Sequence, residues 1–224
     1  MTADGSHGTE ASLEAGEPGR PFEIVVASAN EAKIGEIAEI MAPLPVVLRT
    51  RADFPSWPDV EETGITYLDN ALLKAQAIRE LTGLAALADD SGIEVDALDG
   101  RPGPRSARLA GEHATDEANN IRLISLLHGV PPERRTARYR CVVVLLMPEE
   151  SGAEPLVAEA TCEGTIALEP HGTGGFGYDP WFVPEGESRA MAELTPAEKH
   201  AISHRGKALR ALAGQLESVL GESA

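Results

Sequence analysis

Residues 84–92 read Leu-Ala-Ala-Leu-Ala-Asp-Asp-Ser-Gly, an apolar run that stops abruptly on two adjacent carboxylates. A short continuous apolar stretch bounded by turn-type residues predicts a buried strand. Strand ends in α/β sheets are where ligands usually sit. Two neighbouring acids there repel one another, and a divalent cation would relieve that repulsion. The competing reading is an acidic turn. Working outward, a helix is expected upstream, capped by Thr63 and running to about Leu81. Ile65, Leu68, Leu72 and Ala75 share its face, and Gly83 stands where a C-terminal stop belongs.

Further upstream, residues 22–27 (FEIVVA) predict a buried strand. Residues 31–41 predict a helix with Ile34, Ile37 and Met41 on one face. Pro43 and Pro45 stop that helix, residues 46–48 make a second strand, and residues 51–62 read as a polar loop. Downstream come a Gly/Pro/Arg-rich loop at 99–111 and a helix at 116–127. Two β-rich runs, 137–147 and 155–163, then read as an antiparallel hairpin. Thr195-Pro196-Ala197-Glu198 carries the cap, N1 proline and N3 glutamate of a helix start. A last helix spans about 204–220, with Leu209, Leu212, Leu216 and Leu220 inward. Helices alternate with strands first and a hairpin follows, so the expected class is α/β with a mixed sheet.

The 224 residues include 36 acidic and 19 basic side chains, a formal net charge of −17. That balance repels polyanions, so no nucleic-acid partner is expected. A small anionic substrate remains compatible if a few cations gather in one cleft. No apolar run approaches the roughly 18 residues of a membrane span. Residues 1–20 lack the basic start and apolar centre of a secretory signal and read as a flexible tail, leaving 21–224 as one domain. Cys141 and Cys162 lie in strand-like runs without metal-type spacing; they read as buried thiols in a cytoplasmic protein.

Four further segments carry chemistry. Ser28-Ala29-Asn30-Glu31-Ala32-Lys33 follows a strand and opens a helix, where free backbone N–H groups favour anions. Ser28, Asn30 and Lys33 can address phosphate oxygens; alternatively Asn30 only caps the helix and Lys33 is solvated. Glu61-Glu62-Thr63-Gly64 precedes a helix. Its carboxylates answer the helix dipole, or Glu61, with Asp90, supplies the one or two carboxylates that a magnesium site takes. Gly172 to Pro180 (GTGGFGYDP) combines close-approach glycines with Phe176 and Tyr178, which could flank a planar base, and Asp179, which could accept from a sugar or ring N–H. Lys199-His200-Ala201-Ile202-Ser203-His204-Arg205-Gly206-Lys207 clusters cations in an acidic chain. Lys199 could reach phosphate, and Arg205 or His204 could donate to a carbonyl on a base.

In this order the segments resemble the inosine/xanthosine triphosphate pyrophosphatase family, also called dITP/XTP pyrophosphatases. The motifs are S-x-N-x-x-K (Ser28 to Lys33), E-E-T-G (Glu61 to Gly64), A-D-D-S-G-I (Ala88 to Ile93), G-T-G-G-F-G-Y-D-P, and Lys199 with Ser203-His204-Arg205-Gly206. The resemblance implies an elongated two-lobed α/β fold around a central mixed sheet, a homodimer, and Mg²⁺-dependent cleavage between the α- and β-phosphates of ITP, dITP or XTP. It implies Asp90 as general base and Glu61 with Asp90 as metal carboxylates. The phosphates fall to Ser28 through Lys33, Ser91 and Lys199. The nucleoside falls to Phe176, Gly177, Tyr178, Asp179, His204 and Arg205. Alternatives are a pyrophosphatase for other modified nucleotides and a non-catalytic nucleotide-binding protein.

Overall fold

The computed structural model describes residues 21–222; the tail expected over 1–20 lies outside the described residues. Strand β1 (Phe22–Val26) leads into helix α1 (Glu31–Met41) and strand β2 (Val46–Arg49). Helix α2 (Tyr67–Thr82) leads into β3 (Ala85–Val95), and α3 (Asp116–Leu126) precedes the hairpin of β4 (Thr136–Leu146) and β5 (Leu156–Ile166). A short β6 (Phe182–Pro184) is followed by α4 (Pro196–Ile202) and α5 (His204–Glu222). The strands form one sheet in the order β2-β1-β3-β4-β5-β6. β1 runs parallel to β2 and β3, and the remaining pairs are antiparallel. This is the α/β mixed sheet expected from the alternation of elements.

Side chains alternate across a strand, and that alternation builds two cores on one sheet. Ala85 and Leu87 of β3 join Ile24, Val26, Cys141, Val143 and Leu145 beneath α1 and α5, with Ile37, Met41, Leu209, Leu212 and Leu216. Ala86 and Ala88 face the other way, with Val25, Val142 and Val144, and meet Tyr67, Ala71, Ala75 and Ile78 of α2. Each large side chain taken from water contributes roughly 1.5–3 kcal/mol. The far halves of β3 and β4 carry a third core, in which Ile93, Val95 and Tyr139 pack with Leu123, Tyr178 and Phe182. The long strands therefore join two packed ends. Cys141 and Cys162 are free and buried, as expected.

Two expectations about local structure are corrected. α2 is capped by Thr66, not Thr63. The Thr66 Oγ1 accepts from the Asp69 N–H at 3.1 Å while the Asp69 carboxylate accepts from the Thr66 N–H at 3.0 Å, a reciprocal capping box. The inward face is therefore Tyr67, Asn70, Ala71, Ala75 and Ile78, and Ile65, ahead of the cap, is 89% exposed. The second correction concerns β3, which does not stop at Ala88. Its antiparallel partner β4 carries it onward, pairing Asp89 with Val143, Asp90 with Val142 and Ser91 with Cys141. Only the parallel partner gives out, at Val26 opposite Leu87. The acids thus sit in mid-strand, just past the level where β1 ends.

Candidate active site

Because the strand runs through them, Asp89 and Asp90 point to opposite faces of the sheet. Asp89 continues the Ala85–Leu87 side, between α1 and α5. Its Oδ2 accepts from the Lys33 ammonium at 3.0 Å and the Arg205 Nε at 3.1 Å. Asp89 is 3% exposed. Burial alone would raise its pKa, but Lys33, Arg205 and Lys74 outweigh burial and hold it well below the usual carboxylate range.

Asp90 continues the Ala86–Ala88 side, toward α2. Asn70 Nδ2 donates to its Oδ2 at 3.0 Å, its Oδ1 accepts from the Ser91 N–H at 3.0 Å, and the Lys74 ammonium stands 3.6 Å away. Here burial wins: it is the largest influence, the Glu62 charge adds to it, and the carboxyl is pushed up despite Lys74 and Asn70. Lys74 is shared, since it also binds Glu62 at 2.8 Å. Burial would raise Glu62 as well, but Lys74, Lys33 and Arg108 bring it below its ordinary value.

Of the two adjacent glutamates it is therefore Glu62 that the fold ties to Asp90 through Lys74. Glu61 is exposed, and among the described residues its carboxylate has no ion-pair partner. Among the described residues no cluster of three or more His, Cys, Asp or Glu is preassembled for a metal ion. Magnesium needs fewer, because it keeps waters and takes substrate phosphates. The hard-oxygen set of Asp90 with Glu62, and the exposed Glu61 next to it in the chain, fits that requirement. An added cation beside Asp90 would also offset the burial that now disfavours its charge.

At the head of α1, the Asn30 Oδ1 accepts from Ala32 N–H (3.0 Å) and Lys33 N–H (3.2 Å). The capping role of Asn30 is thus realised, while Lys33, expected as either phosphate ligand or solvated charge, pairs with Asp89. The Ser28 Oγ accepts from the Asn30 N–H at 3.2 Å. Ala29, Glu31 and Ala32 are exposed along this entrance. A cavity of about 650 Å³ opens here, lined by Ser28, Asn30, Lys33, Glu62, Lys74 and Asp89, together with Arg51 and Trp57.

The glycine-rich loop lies on the other flank. Gly175 has a φ of +72°, and a Cβ there would collide with the Asp179 carboxylate, so glycine is required for the loop to close over that acid. Asp179 does not present a free acceptor: it takes Tyr139 Oη at 3.2 Å, the Phe176 N–H at 3.0 Å and the Lys199 ammonium at 2.8 Å. Tyr178 does not flank a base either. It is buried in the third core and its hydroxyl donates to the Ser106 carbonyl at 2.6 Å. Phe176 remains half-buried, with Lys199 Nζ 4.6 Å and the Arg205 guanidinium carbon 5.5 Å from its ring centre. Gly177 is half-buried and its N–H donates to Asp116 at 2.7 Å.

Arg205 is 2% exposed. Its Nε, Nη1 and Nη2 donate to Asp89 (3.1 Å), Glu36 (2.7 Å) and the Ser91 Oγ (2.9 Å). The expectation that it reads a base is thus replaced by a bracing role, because its donors are turned inward. Glu36 also approaches Lys199 at 3.5 Å. Lys33, Asp89, Arg205, Glu36, Lys199 and Asp179 consequently form one continuous chain of charges from the cavity to the glycine-rich loop. Lys199 itself is not on the cavity wall. His204 stacks on Tyr139 at 4.6 Å and 6°; burial, then the nearby Arg205 and Lys199, drives its pKa well down, so the ring is neutral. Among the described residues its Nδ1 has no hydrogen-bond partner.

Asn70, Lys74, Glu62 and Glu36 were missed as site residues. Asn70 and Lys74 stand four apart on α2, one turn of one face, a spacing visible only once the helix is phased from Thr66. Glu36 gave no signal, since a lone acid on an amphipathic helix reads as solvated.

Residues 24–215 match the profile of the Ham1 family. A dITP/XTP pyrophosphatase of Geobacter sulfurreducens is 50% identical over 193 residues, covering 86% of this chain and 96% of that protein. One from Streptomyces coelicolor is 48% identical over 200 residues, covering 88% and 98%. Among solved structures, a HAM1 protein from Coxiella burnetii superposes with a TM-score of 0.80 at 43% identity, covering 88% of this chain and 99% of that one.

Proposed function

The chain belongs to the Ham1 family, and from that premise and the site's geometry we infer that it hydrolyses aberrant purine nucleoside triphosphates (dITP, XTP and ITP) to the monophosphate and pyrophosphate. It is a nucleoside-triphosphate pyrophosphatase. The observation that carries the mechanism is Asp90: a buried carboxyl with a raised pKa, held by Asn70 and the Ser91 N–H beside the Lys74 ammonium.

A base works best when its pKa lies close to the working pH. Asp90, lifted by burial, takes the proton of a water attacking the α-phosphorus. Asn70 and the Ser91 N–H fix which oxygen faces that water. Lys33, Lys74 and the entrance of α1 offset charge that gathers on the phosphate oxygens as pyrophosphate leaves. Mg²⁺ is the cofactor of this reading, held by Asp90 with Glu62 or Glu61; when bound, it supplies charge neutralisation on the phosphate chain.

Selectivity has a chemical basis at the base. Hypoxanthine and xanthine carry a carbonyl at position 6 where adenine carries an amine. We assign that end of the base to Phe176 and to His204, whose unpaired Nδ1 is the uncommitted polar atom of the stack. Rejection of a base that leaves a buried donor unpaired can reach roughly 10⁴-fold. A homodimer in the cytoplasm belongs to the same reading. Pyrophosphate release from XTP, dITP, ITP, GTP and ATP, with Mg²⁺ or EDTA, tests it. The first three turn over, ATP lags by orders of magnitude, and EDTA abolishes release. Equal rates on ATP and XTP would overturn it.

A further inference from the structure

The cavity beside Asp89 has a wall that the chemistry above leaves unused. Its cations are Lys33, Lys74 and Arg51. Lys33 is paired with Asp89, and Lys74 with Glu62 and Asp90. Arg51 is exposed, and among the described residues it has no ion-pair partner. Its neighbour Arg49 takes both nearby acids, Glu23 at 2.8 Å and Asp53 at 3.8 Å. Arg51 is nevertheless held in place at its backbone. It opens a 3-10 turn, Arg51–Asp53, whose cap Thr50 accepts from the Ala52 N–H at 3.4 Å and donates its own N–H to Asp53 at 2.7 Å.

The sheet orders these groups in space. Val25 is level with Arg49 across β1 and β2, and Val26 is level with Leu87 across β1 and β3. β2 ends at Arg49, and Arg51 opens the turn that follows directly on it, while β1 ends at Val26 and β3 runs on into the two aspartates. Strands in a sheet are spaced by roughly 4.8 Å, so β2, which leads into Arg51, stands about 10 Å from β3 with β1 between. It lies on the side away from the glycine-rich loop, with the head of α1 between. A triphosphate with its base at Phe176 and its α-phosphorus at Asp90 therefore runs its phosphate chain past Ser28 and Lys33 toward Arg51.

We propose that Arg51 is a substrate-contacting residue, a ligand for the terminal phosphate and for the departing pyrophosphate. This rests on the triphosphate pyrophosphatase reading and deepens it, since it places the leaving-group end of the substrate. A guanidinium binds phosphate oxygens in a bidentate fork that lysine cannot reproduce. A contact made equally in the ground state and the transition state raises KM on removal and spares kcat.

The test uses the full chain with Mg²⁺, comparing R51A, R51Q and R51K with the unaltered protein on XTP. For R51A and R51Q, KM rises about tenfold, inhibition by added pyrophosphate weakens by about the same factor, and kcat stays within about twofold. R51K falls between. Inhibition by XMP, which lacks the outer phosphates, is unchanged, and so is Tm, because Arg51 is exposed and unpaired. Unchanged KM and pyrophosphate inhibition in R51A would overturn the proposal, as would equal weakening by XMP and pyrophosphate. An unaltered protein that releases no pyrophosphate from XTP would instead refute the activity; calorimetric binding of pyrophosphate to both proteins would still decide the role of Arg51.

Discussion

At the residue scale, the two neighbouring aspartates are opposites. Asp89 is charged and braced; Asp90 is buried, and its ionised form is disfavoured. A carboxyl whose folded pKa is raised stabilises the fold below its unfolded value and loses that contribution as pH rises through the folded one. Ionised Asp90 is therefore a burden at neutral pH. D90N is expected to lower turnover of XTP by about two to four orders of magnitude while raising Tm at pH 7, with little change in Tm near pH 3. Scanning calorimetry and steady-state rates at both pH values check this. A normal rate in D90N would remove the proposed base. Asp89 has the reverse sign: its stabilisation is present above the unfolded carboxylate pKa and is lost as pH falls toward its depressed folded value.

At the element scale, α2 is the device that sets Asp90. Its cap fixes the phase of the helix, and the phase brings Asn70 and Lys74 to the Asp90 face. The segment between Gly64 and the helix is tied down as well, since the Asn70 Oδ1 accepts from the Gly64 N–H at 2.8 Å. One side chain thus anchors the Glu62 loop and the Asp90 carboxyl together. T66A removes one half of the capping box. It is expected to lower stability by about 1 kcal/mol, which for a chain of this size is a fall of about 2–4 °C in Tm. Thermal unfolding followed by circular dichroism measures it, and an unchanged Tm would show that tertiary packing alone holds the start of α2.

At the scale of the whole molecule, the two packed ends are linked by charge as well as by strands. Arg205 at the head of α5 holds Asp89 of β3 and Glu36 of α1, and Glu36 passes the contact to Lys199 and the glycine-rich loop. Removing one partner of a buried ion network leaves uncompensated charges behind. R205A is expected to destabilise the protein by about 3–5 kcal/mol, read by denaturant unfolding. R205K is not a full rescue, because one ammonium cannot span Asp89, Glu36 and Ser91 in the geometry of a planar fork. A loss below about 1 kcal/mol would mean that the network behaves like surface pairs.

The sequence by itself determined what local signals control: the mixed α/β order, the hairpin, the Asn30 and Thr195 caps, and the segments that bear the chemistry. These follow from period, capping and turn residues within a few positions of one another. Only the tertiary structure decided that Asp89 and Asp90 face opposite ways, that Glu62 is tied to Asp90, and that Arg205 and Tyr178 turn inward. The reason is distance along the chain. Lys33 meets Asp89 across 56 residues and Arg205 meets it across 116. Such partners are chosen by how helices pack on the sheet, and a continuing antiparallel neighbour, not the run of apolar residues, decides where β3 ends.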